Sequence, residues 1–271
     1  MSRRVLPGFG VSLSVTLIYL TLLLLVPLGA CLAKALSLTA DQFWAAVWTP
    51  RAQAAYLFTF GASLLAAGAS VVLGLLVAWV LVRYEFPFKR LLDSLIDLPF
   101  ALPTAVAGLV YSSLYVKQGW LGQFLVPLGI EASYTRFAVV LVLTFLGLPF
   151  VVRAVQPVLE TFDADTEEAA HLLGASRLQV FTRVIMPLLW PAAITGFALS
   201  FARSLGEYGS VVFVSGNMPF KTEIAPVLIV NRLEESAYAE ATAVAVMLLA
   251  ISFTTLVAIN FLERWSRRHA I

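Results

Sequence analysis

Six long stretches of mainly apolar residues follow one another along the chain, and shorter polar segments separate them. A helix rises about 1.5 Å per residue, so about 20 apolar residues cross the hydrocarbon core of a bilayer, which is about 30 Å thick. The pattern therefore predicts an all-α membrane protein, with six transmembrane helices in one domain over residues 1–271. The predicted spans cover residues 9–33, 57–82, 95–116, 136–157, 188–214 and 241–262.

The fourth stretch is the shortest, because Arg136 and Arg153 limit it at its two ends. An arginine side chain can extend along a helix to the membrane surface and so lengthen a short span. We therefore expect these two arginines to lie at opposite membrane surfaces.

Positive charge predicts the orientation, since lysine and arginine are enriched in cytoplasmic loops. Six spans place both termini on one side. With the termini inside, eleven of the 18 Lys and Arg residues are cytoplasmic and six are outside, while Arg203 lies within a span. The sequence therefore predicts cytoplasmic termini and a cytoplasmic segment at residues 158–187. The cytoplasmic residues are Arg3, Arg4, Arg83, Lys89, Arg90, Arg153, Arg177, Arg183, Arg264, Arg267 and Arg268.

The composition supports this class and excludes several functions. Hydrophobic residues make up 60% of the chain and charged residues 13%, against about 25% charged residues in soluble domains. The net charge of +2 comes without a basic stripe interleaved with aromatic residues, so we expect no nucleic-acid binding. Cys31 is the one cysteine, which excludes an intrachain disulfide and a cysteine zinc site.

The sequence also lacks the motifs of an enzyme. It has no Gly-x-x-x-x-Gly-Lys-Ser/Thr loop for phosphates and no His-Glu-x-x-His motif for zinc. Its two histidines, His171 and His269, are predicted to be solvated. We therefore expect no catalytic residue, no metal site and no cofactor bound by this chain.

The segment at residues 158–187 is the longest polar interruption between spans on the cytoplasmic side. Acidic residues from Asp163 onward favour a helix start, because they complement the helix dipole. Gly174 can end that helix, Ser176 can cap a second one, and Pro187 can begin or bend the next span. A loop this long and polar indicates a partner or a moving part.

Within this segment, a Glu-Ala-Ala triplet is followed by three residues and then by Gly. Nine further residues separate this Gly from an aliphatic residue, Ile185, a second aliphatic residue and Pro. The spacing resembles the EAA loop of ABC importer permeases, although Val184 and Met186 replace the usual Ile and Leu. The resemblance implies a type I ABC importer permease fold and a short coupling helix that docks in a groove of a cytoplasmic ATPase subunit. The residues it assigns to ATPase coupling are Glu168, Ala169, Ala170, Gly174 and Pro187.

Two further places are candidates for the translocation path. Pro103, next to Thr104, removes a helix hydrogen bond at the start of the third span, which leaves either a bent helix or non-helical backbone beside a polar path. Arg203 and Glu207 lie four residues apart on one helix face. They form either an ion pair that fixes helix packing or a site at which Arg203 attracts an anion.

These stretches, together with residues 119–122 and 222–226, resemble the sulfate and thiosulfate branch of the permeases. Molybdate and tungstate permeases, which share the Gly-Glu-aromatic-Gly pattern of the fifth span, are the alternative. The resemblance implies a bacterial inner-membrane importer with a second homologous permease, an ATPase subunit dimer that uses ATP and Mg, and a periplasmic sulfate-binding protein. An ion-driven secondary transporter or channel is a third interpretation, but it gives no reason for the EAA segment and no inverted repeat is evident.

The outer loops carry two short amphipathic patterns. Trp44 and Trp48 lie four residues apart, as in a helix at the membrane interface. Ile224, Val227, Leu228 and Val230 share one side of a second predicted helix, for which Thr222 is the candidate cap.

Overall fold

The computed structural model describes residues 8–269, and within them every regular element is a helix. Five of these helices are long and apolar enough to cross a membrane: Phe9–Ala35, Pro50–Arg83, Arg136–Glu160, Arg177–Leu205 and the part of the last helix over Tyr238–Ile259. The all-α membrane class is therefore confirmed. Arg3 and Arg4, and the side chains of Arg264, Arg267 and Arg268, lie outside the described part. The helices are α1 (Phe9–Ala35), α2 (Ala40–Val47), α3 (Pro50–Arg83), α4 (Lys89–Ile96), α5 (Leu98–Ala101), α6 (Thr104–Tyr115), α7 (Gly122–Leu125), α8 (Arg136–Glu160), α9 (Ala164–Leu172), α10 (Arg177–Leu205), α11 (Val211–Val214), α12 (Ala225–Glu234) and α13 (Tyr238–His269).

The core is a bundle of α3, α8 and α10, which pack against one another along their lengths. Glycines line the contacts, because a Cβ on Gly74 would lie 2.6 Å from Cγ1 of Val151 and a Cβ on Gly196 would lie 2.8 Å from Cα of Val151. Without a hydrophobic driving force between helices in lipid, such small residues stabilise the bundle by letting the backbones approach closely. Helices α5, α6, α11, α12 and α13 contact this bundle, and α1 packs on α13.

The third predicted span, residues 95–116, is not one continuous helix. It consists of α5 and α6, and between them the backbone of Leu102 is extended, with ψ of 133°. Pro103 explains the break, since its ring disfavours helical geometry in the preceding residue and it has no amide to donate. The third predicted span is therefore not among the five helices that are long enough to cross a membrane. Of the two arrangements expected at Pro103, a bent helix or non-helical backbone, the structure has the non-helical backbone.

The fifth predicted span also differs from the expectation of helix through residue 214. The long helix begins at Arg177 and ends at Leu205, and residues 206–210 are non-helical before α11. The sequence reasoning placed Glu207 on the helix face, whereas the structure places it just beyond the helix end.

The loops agree with the predictions in part. Trp44 lies in α2 as expected, and the polar stretch after α3 contains a further helix, α4. The cap assigned to Thr222 is wrong, since α12 begins after Ile224 without a side-chain cap. The Thr222 hydroxyl instead accepts a hydrogen bond of 3.1 Å from the Met218 amide, within the preceding turn.

Candidate functional site

The polar segment of residues 158–187 folds into a short helix, a tight turn and the first turns of α10. Gly174 ends the turn after α9 with φ of 86°. The Ala175 amide donates to the Ala170 carbonyl at 3.0 Å, and the Gly174 amide donates to the His171 carbonyl at 2.9 Å. These two bonds form a Schellman motif, which favours glycine because a left-handed backbone crowds a Cβ. The turn predicted at Gly174 is therefore confirmed.

Two side-chain caps define the helices on either side of this turn. The Asp163 carboxylate accepts a hydrogen bond of 3.1 Å from the Asp165 amide at the start of α9. Ser176 and Gln179 form a capping box at the start of α10, with bonds of 2.8 and 3.3 Å. Both predicted helix starts are present.

Pro187 lies inside the continuous helix α10 rather than at its start. A π-helical turn, Phe181–Ile185, ends two residues before it. Because proline has no amide to donate, the wider π turn accommodates the missing bond without ending the helix. The same arrangement occurs in α1, where the π turn Thr21–Leu25 precedes Pro27.

The coupling residues that lie in α9 divide between two faces of this helix. Glu168 and Ala169 are exposed, while Ala170 packs against the apolar cluster formed by α3, α8 and α10. Leu172 and Leu173 are 89% and 88% exposed. Sequence reasoning missed these leucines, although two adjacent leucines in a polar segment are a visible signal. We call Glu168, Ala169, Leu172, Leu173 and Leu178, all exposed, the exposed loop face.

The opposite face of α9 contacts the end of α3. Arg83, the last residue of α3, forms an ion pair with Glu167 through its Nη2 and the Glu167 Oε1. Sequence reasoning missed Glu167, because nothing in the local pattern links two residues that are 84 positions apart.

The second part of the site surrounds Glu207, in the non-helical residues 206–210, which we call the strap. The Glu207 Oε2 accepts a hydrogen bond of 2.5 Å from Nη1 of Arg203, and its Oε1 accepts bonds of 2.8 and 2.9 Å from the amide and hydroxyl of Ser210. Glu207 is 2% exposed, whereas the Arg203 side chain is 33% exposed. The carboxylate thus holds the strap together, and the guanidinium reaches the surface of the subunit.

The strap packs against the start of α6. A Cβ on Gly108 would lie 2.8 Å from Cα of Ser210, and a Cβ on Gly209 would overlap the Thr104 hydroxyl. Pro103 precedes Thr104 and is exposed. The structure therefore brings all four path candidates, Pro103, Thr104, Arg203 and Glu207, to one place, where two interrupted helices meet.

The other side of the interrupted third span is held by Arg153 of α8. Its guanidinium donates to Asp97 through Nε at 2.9 Å and Nη2 at 2.6 Å, and to Asp93 through Nη1 at 2.6 Å. Arg153 lies inside α8, which continues to Glu160, and its side chain is bound to two carboxylates rather than extended along the helix. It fixes α4 and the start of α5 against α8.

The opposite end of the bundle has its own ion pairs. Arg51 at the start of α3 makes a two-bond contact of 2.8 and 2.6 Å with Glu223, which also accepts a bond of 3.0 Å from Asn231. Arg136 at the start of α8 donates to the Lys221 carbonyl at 2.7 Å. The loop before α12 is thus attached to the ends of two core helices. Among the described residues, no group of three or more His, Cys, Asp and Glu could hold a metal ion.

Comparison with known proteins identifies relatives over nearly the whole chain. The family model described as "Binding-protein-dependent transport system inner membrane component" matches residues 70–269. The sulfate transport system permease protein CysT of Synechocystis is 49% identical over 256 residues, covering 94% of this chain and 90% of the relative. The CysT protein of Salmonella typhimurium is 48% identical over 268 residues, covering 98% and 97%.

Solved structures support the fold. A bacterial alginate ABC transporter in complex with an alginate pentasaccharide-bound periplasmic protein matches with a TM-score of 0.75 and 17% identity, covering 94% of this chain and 93% of that one. An amino acid ABC transporter matches with a TM-score of 0.54 and 20% identity, covering 85% and 100%. At these identities the likeness concerns the fold alone.

Proposed function

The chain belongs to the family of binding-protein-dependent transport system inner membrane components, the permeases of ABC importers, and from this premise we propose that it is a transmembrane subunit of an ATP-driven importer of sulfate and thiosulfate. The observation that carries the proposal is the identity of 49% and 48% with two sulfate permeases, which extends over 94% and 98% of this chain. The type I permease fold and the EAA loop agree with it.

Import of sulfate needs an energy source, and this supports an ATP-driven system. Moving a dianion into a cell with a negative interior costs about 2.3 kcal/mol per charge and 100 mV. The sequence carries no phosphate-binding loop of its own. ATP hydrolysis, with its Mg, therefore belongs to separate ATPase subunits, and this chain is not itself the enzyme.

The exposed loop face is the proposed contact with the ATPase. Leu172, Leu173 and Leu178 would otherwise leave a large apolar area in water, and such areas mark interaction sites. Gly174 fixes the turn that presents them. The excess of positive charge on this side supports a bacterial inner-membrane protein with this loop and both termini in the cytoplasm.

Two other partners complete the proposed importer. The opposite end of the bundle, with α2, α12 and the loop at residues 117–135, would contact a periplasmic sulfate-binding protein. Helix α1 buries only Ala35, and within the described residues it packs on α13. Its remaining surface would contact lipid and a second, homologous permease subunit.

The translocation path is proposed to pass Arg203 and the start of α6. Arg203 supplies a positive charge that is held by buried Glu207 but remains one third exposed. Interrupted helices at Pro103 and at the strap place non-helical backbone beside it, which membrane proteins tolerate where that backbone lines a polar path. Thr104 adds a hydroxyl that can donate to an oxyanion.

Uptake of radiolabelled sulfate by bacterial cells that lack their own sulfate system, but express this chain with its partner subunits, tests the function. We expect ATP-dependent uptake that excess thiosulfate reduces, and copurification of an ATPase subunit with the detergent-solubilised protein. Uptake that only molybdate or tungstate reduces would assign the chain to those oxyanions. Absence of any copurifying ATPase would contradict an ABC importer and favour a secondary transporter.

A further inference from the structure

One contact connects the exposed loop to the transmembrane bundle through side chains. Arg83, at the end of α3, pairs with Glu167 on the face of α9 that points away from the exposed loop face. The Arg83 Cζ lies 5.0 Å from the ring centroid of Trp79 and 5.7 Å from that of Phe162. We call Trp79, Arg83, Phe162 and Glu167 the Arg83 cluster.

This cluster is less exposed than an ordinary surface ion pair. Both charged side chains are only 23% exposed, and the guanidinium is close to two aromatic rings, where cation–π attraction adds to the ion pair. An exposed pair contributes little because water and salt screen it and both side chains lose freedom. Partial burial and two aromatic contacts reduce both effects, so the pair should hold α9 to α3 more strongly than an exposed pair would.

The cluster also reaches the start of α10. The Trp79 ring meets the Phe181 ring edge-on, with centroids 5.6 Å apart, and Phe181 begins the π turn that precedes Pro187. Phe162 packs on the apolar cluster that contains Val155 and Leu159 of α8. A displacement of α9 therefore acts on three helices of the bundle through packed side chains rather than through a flexible loop.

We propose that the Arg83 cluster is the element that transmits movement of the ATPase-bound loop to the transmembrane helices. The inference rests on the proposed function, and it adds roles that the EAA resemblance does not assign. Glu168 lies on the face available to the ATPase, whereas its neighbour Glu167 connects the loop to α3. Arg83 and Glu167 are positioning residues: they do not touch the transported anion.

The two faces of α9 permit a selective test. Arg83→Ala removes the cluster and leaves every residue of the exposed loop face unchanged. In a reconstituted complex with ATPase subunits and the sulfate-loaded binding protein, we expect the ATPase to copurify and to keep its basal activity. Stimulation of ATP hydrolysis by the loaded binding protein, and sulfate uptake, should both fall at least about fivefold, the lower range of coupling between distant sites. Glu167→Gln should act in the same direction.

The matched control is Arg90→Ala, which removes another arginine near the same end of the bundle. Arg90 is exposed and has no ion pair among the described residues. We expect wild-type stimulation and uptake from this variant.

A cross-link separates transmission from general loss of stability. With Cys31 changed to Ser, the double variant Arg83→Cys/Glu167→Cys should be uncoupled, and a bifunctional methanethiosulfonate reagent of matching length should restore stimulation by the binding protein. Recovery of stimulation with an unchanged unfolding temperature in detergent assigns the effect to transmission, whereas recovery only together with a raised unfolding temperature would mark a merely structural pair. Wild-type coupling in Arg83→Ala, or no recovery on cross-linking, would overturn the proposal. If the wild-type complex itself shows neither stimulation nor uptake, the proposed function has failed instead.

Discussion

Removal of Arg203 alone should harm the protein more than removal of both charges of its ion pair. Arg203→Ala leaves the Glu207 carboxylate, whose side chain is 3% exposed, without a counter-charge. Breaking a buried pair in this way costs about 3–5 kcal/mol of the free energy of unfolding. Ser210 still donates two hydrogen bonds to the carboxylate, so we expect the low end, about 3 kcal/mol.

The double variant Arg203→Met/Glu207→Gln should be much closer to the wild type in stability. Its glutamine oxygen can still accept from the amide and hydroxyl of Ser210, so the strap keeps its geometry. The methionine keeps most of the volume of the arginine stem, and no charge is left buried. Replacing both partners of a buried pair with neutral groups is often nearly neutral for stability.

Thermal unfolding in detergent measures the difference. For a chain of this size, about 1 kcal/mol corresponds to about 2–4 °C, so Arg203→Ala should unfold about 6–12 °C below the wild type and the double variant within about 3 °C of it. Arg232→Ala is the control, because its partners Glu235 and Glu240 are 52% and 44% exposed and should contribute at most about 1 kcal/mol. Equal destabilisation by the single and double changes would refute the reasoning.

The same variants separate the two roles of the pair. If Arg203 acts only in packing, the stable double variant should take up sulfate. If Arg203 also meets the anion, as proposed, the double variant should fold and assemble but lose uptake.

The structure supports three further predictions. Gly174→Trp should insert in the membrane but lose ATPase copurification and uptake. The φ of 86° at this position strains a residue with a Cβ by about 1–2 kcal/mol, and the indole would cover the exposed loop face. Gly174→Asn should retain both copurification and uptake. Gly196→Ala should lower the free energy of unfolding by about 1–3 kcal/mol, since the added Cβ would lie 2.8 Å from the Val151 backbone. In the same thermal assay Gly68→Ala, whose added Cβ meets no neighbouring atom, should be neutral or stabilising. Asp97→Asn should weaken the Arg153 contact and increase proteolytic cleavage around α4 in membranes, and unchanged cleavage would show that Asp93 alone holds this helix.

The long apolar helices and the shape of the loop could be predicted because they depend on local properties. Apolar length identifies a membrane helix, Pro103 marks a break whatever surrounds it, and Gly174 with Ser176 specifies a turn and a cap. The Schellman bonds and the capping box found there are the consequences of those residues.

The remaining features depend on contacts between distant residues. The end of α10 at Leu205 follows from Glu207, which binds Ser210 while the strap packs on α6, and no local pattern distinguishes this from a continuing helix. Arg153 binds two carboxylates, one from α4 and one from the turn before α5, and Arg83 binds one carboxylate from α9. The partners in these ion pairs are 56–84 positions apart in the sequence, so they can be recognised only once the fold is known.

The exposed leucines of the loop have a consequence for how cells handle the protein. In the proposed orientation, a copy synthesised without ATPase subunits would present Leu172, Leu173 and Leu178 to the cytosol, where chaperones and membrane proteases bind exposed apolar side chains. Such an unassembled copy should be degraded faster than one whose leucines are covered. The loop would then also serve as a check on stoichiometry, so that the amount of permease in the membrane follows the supply of its ATPase.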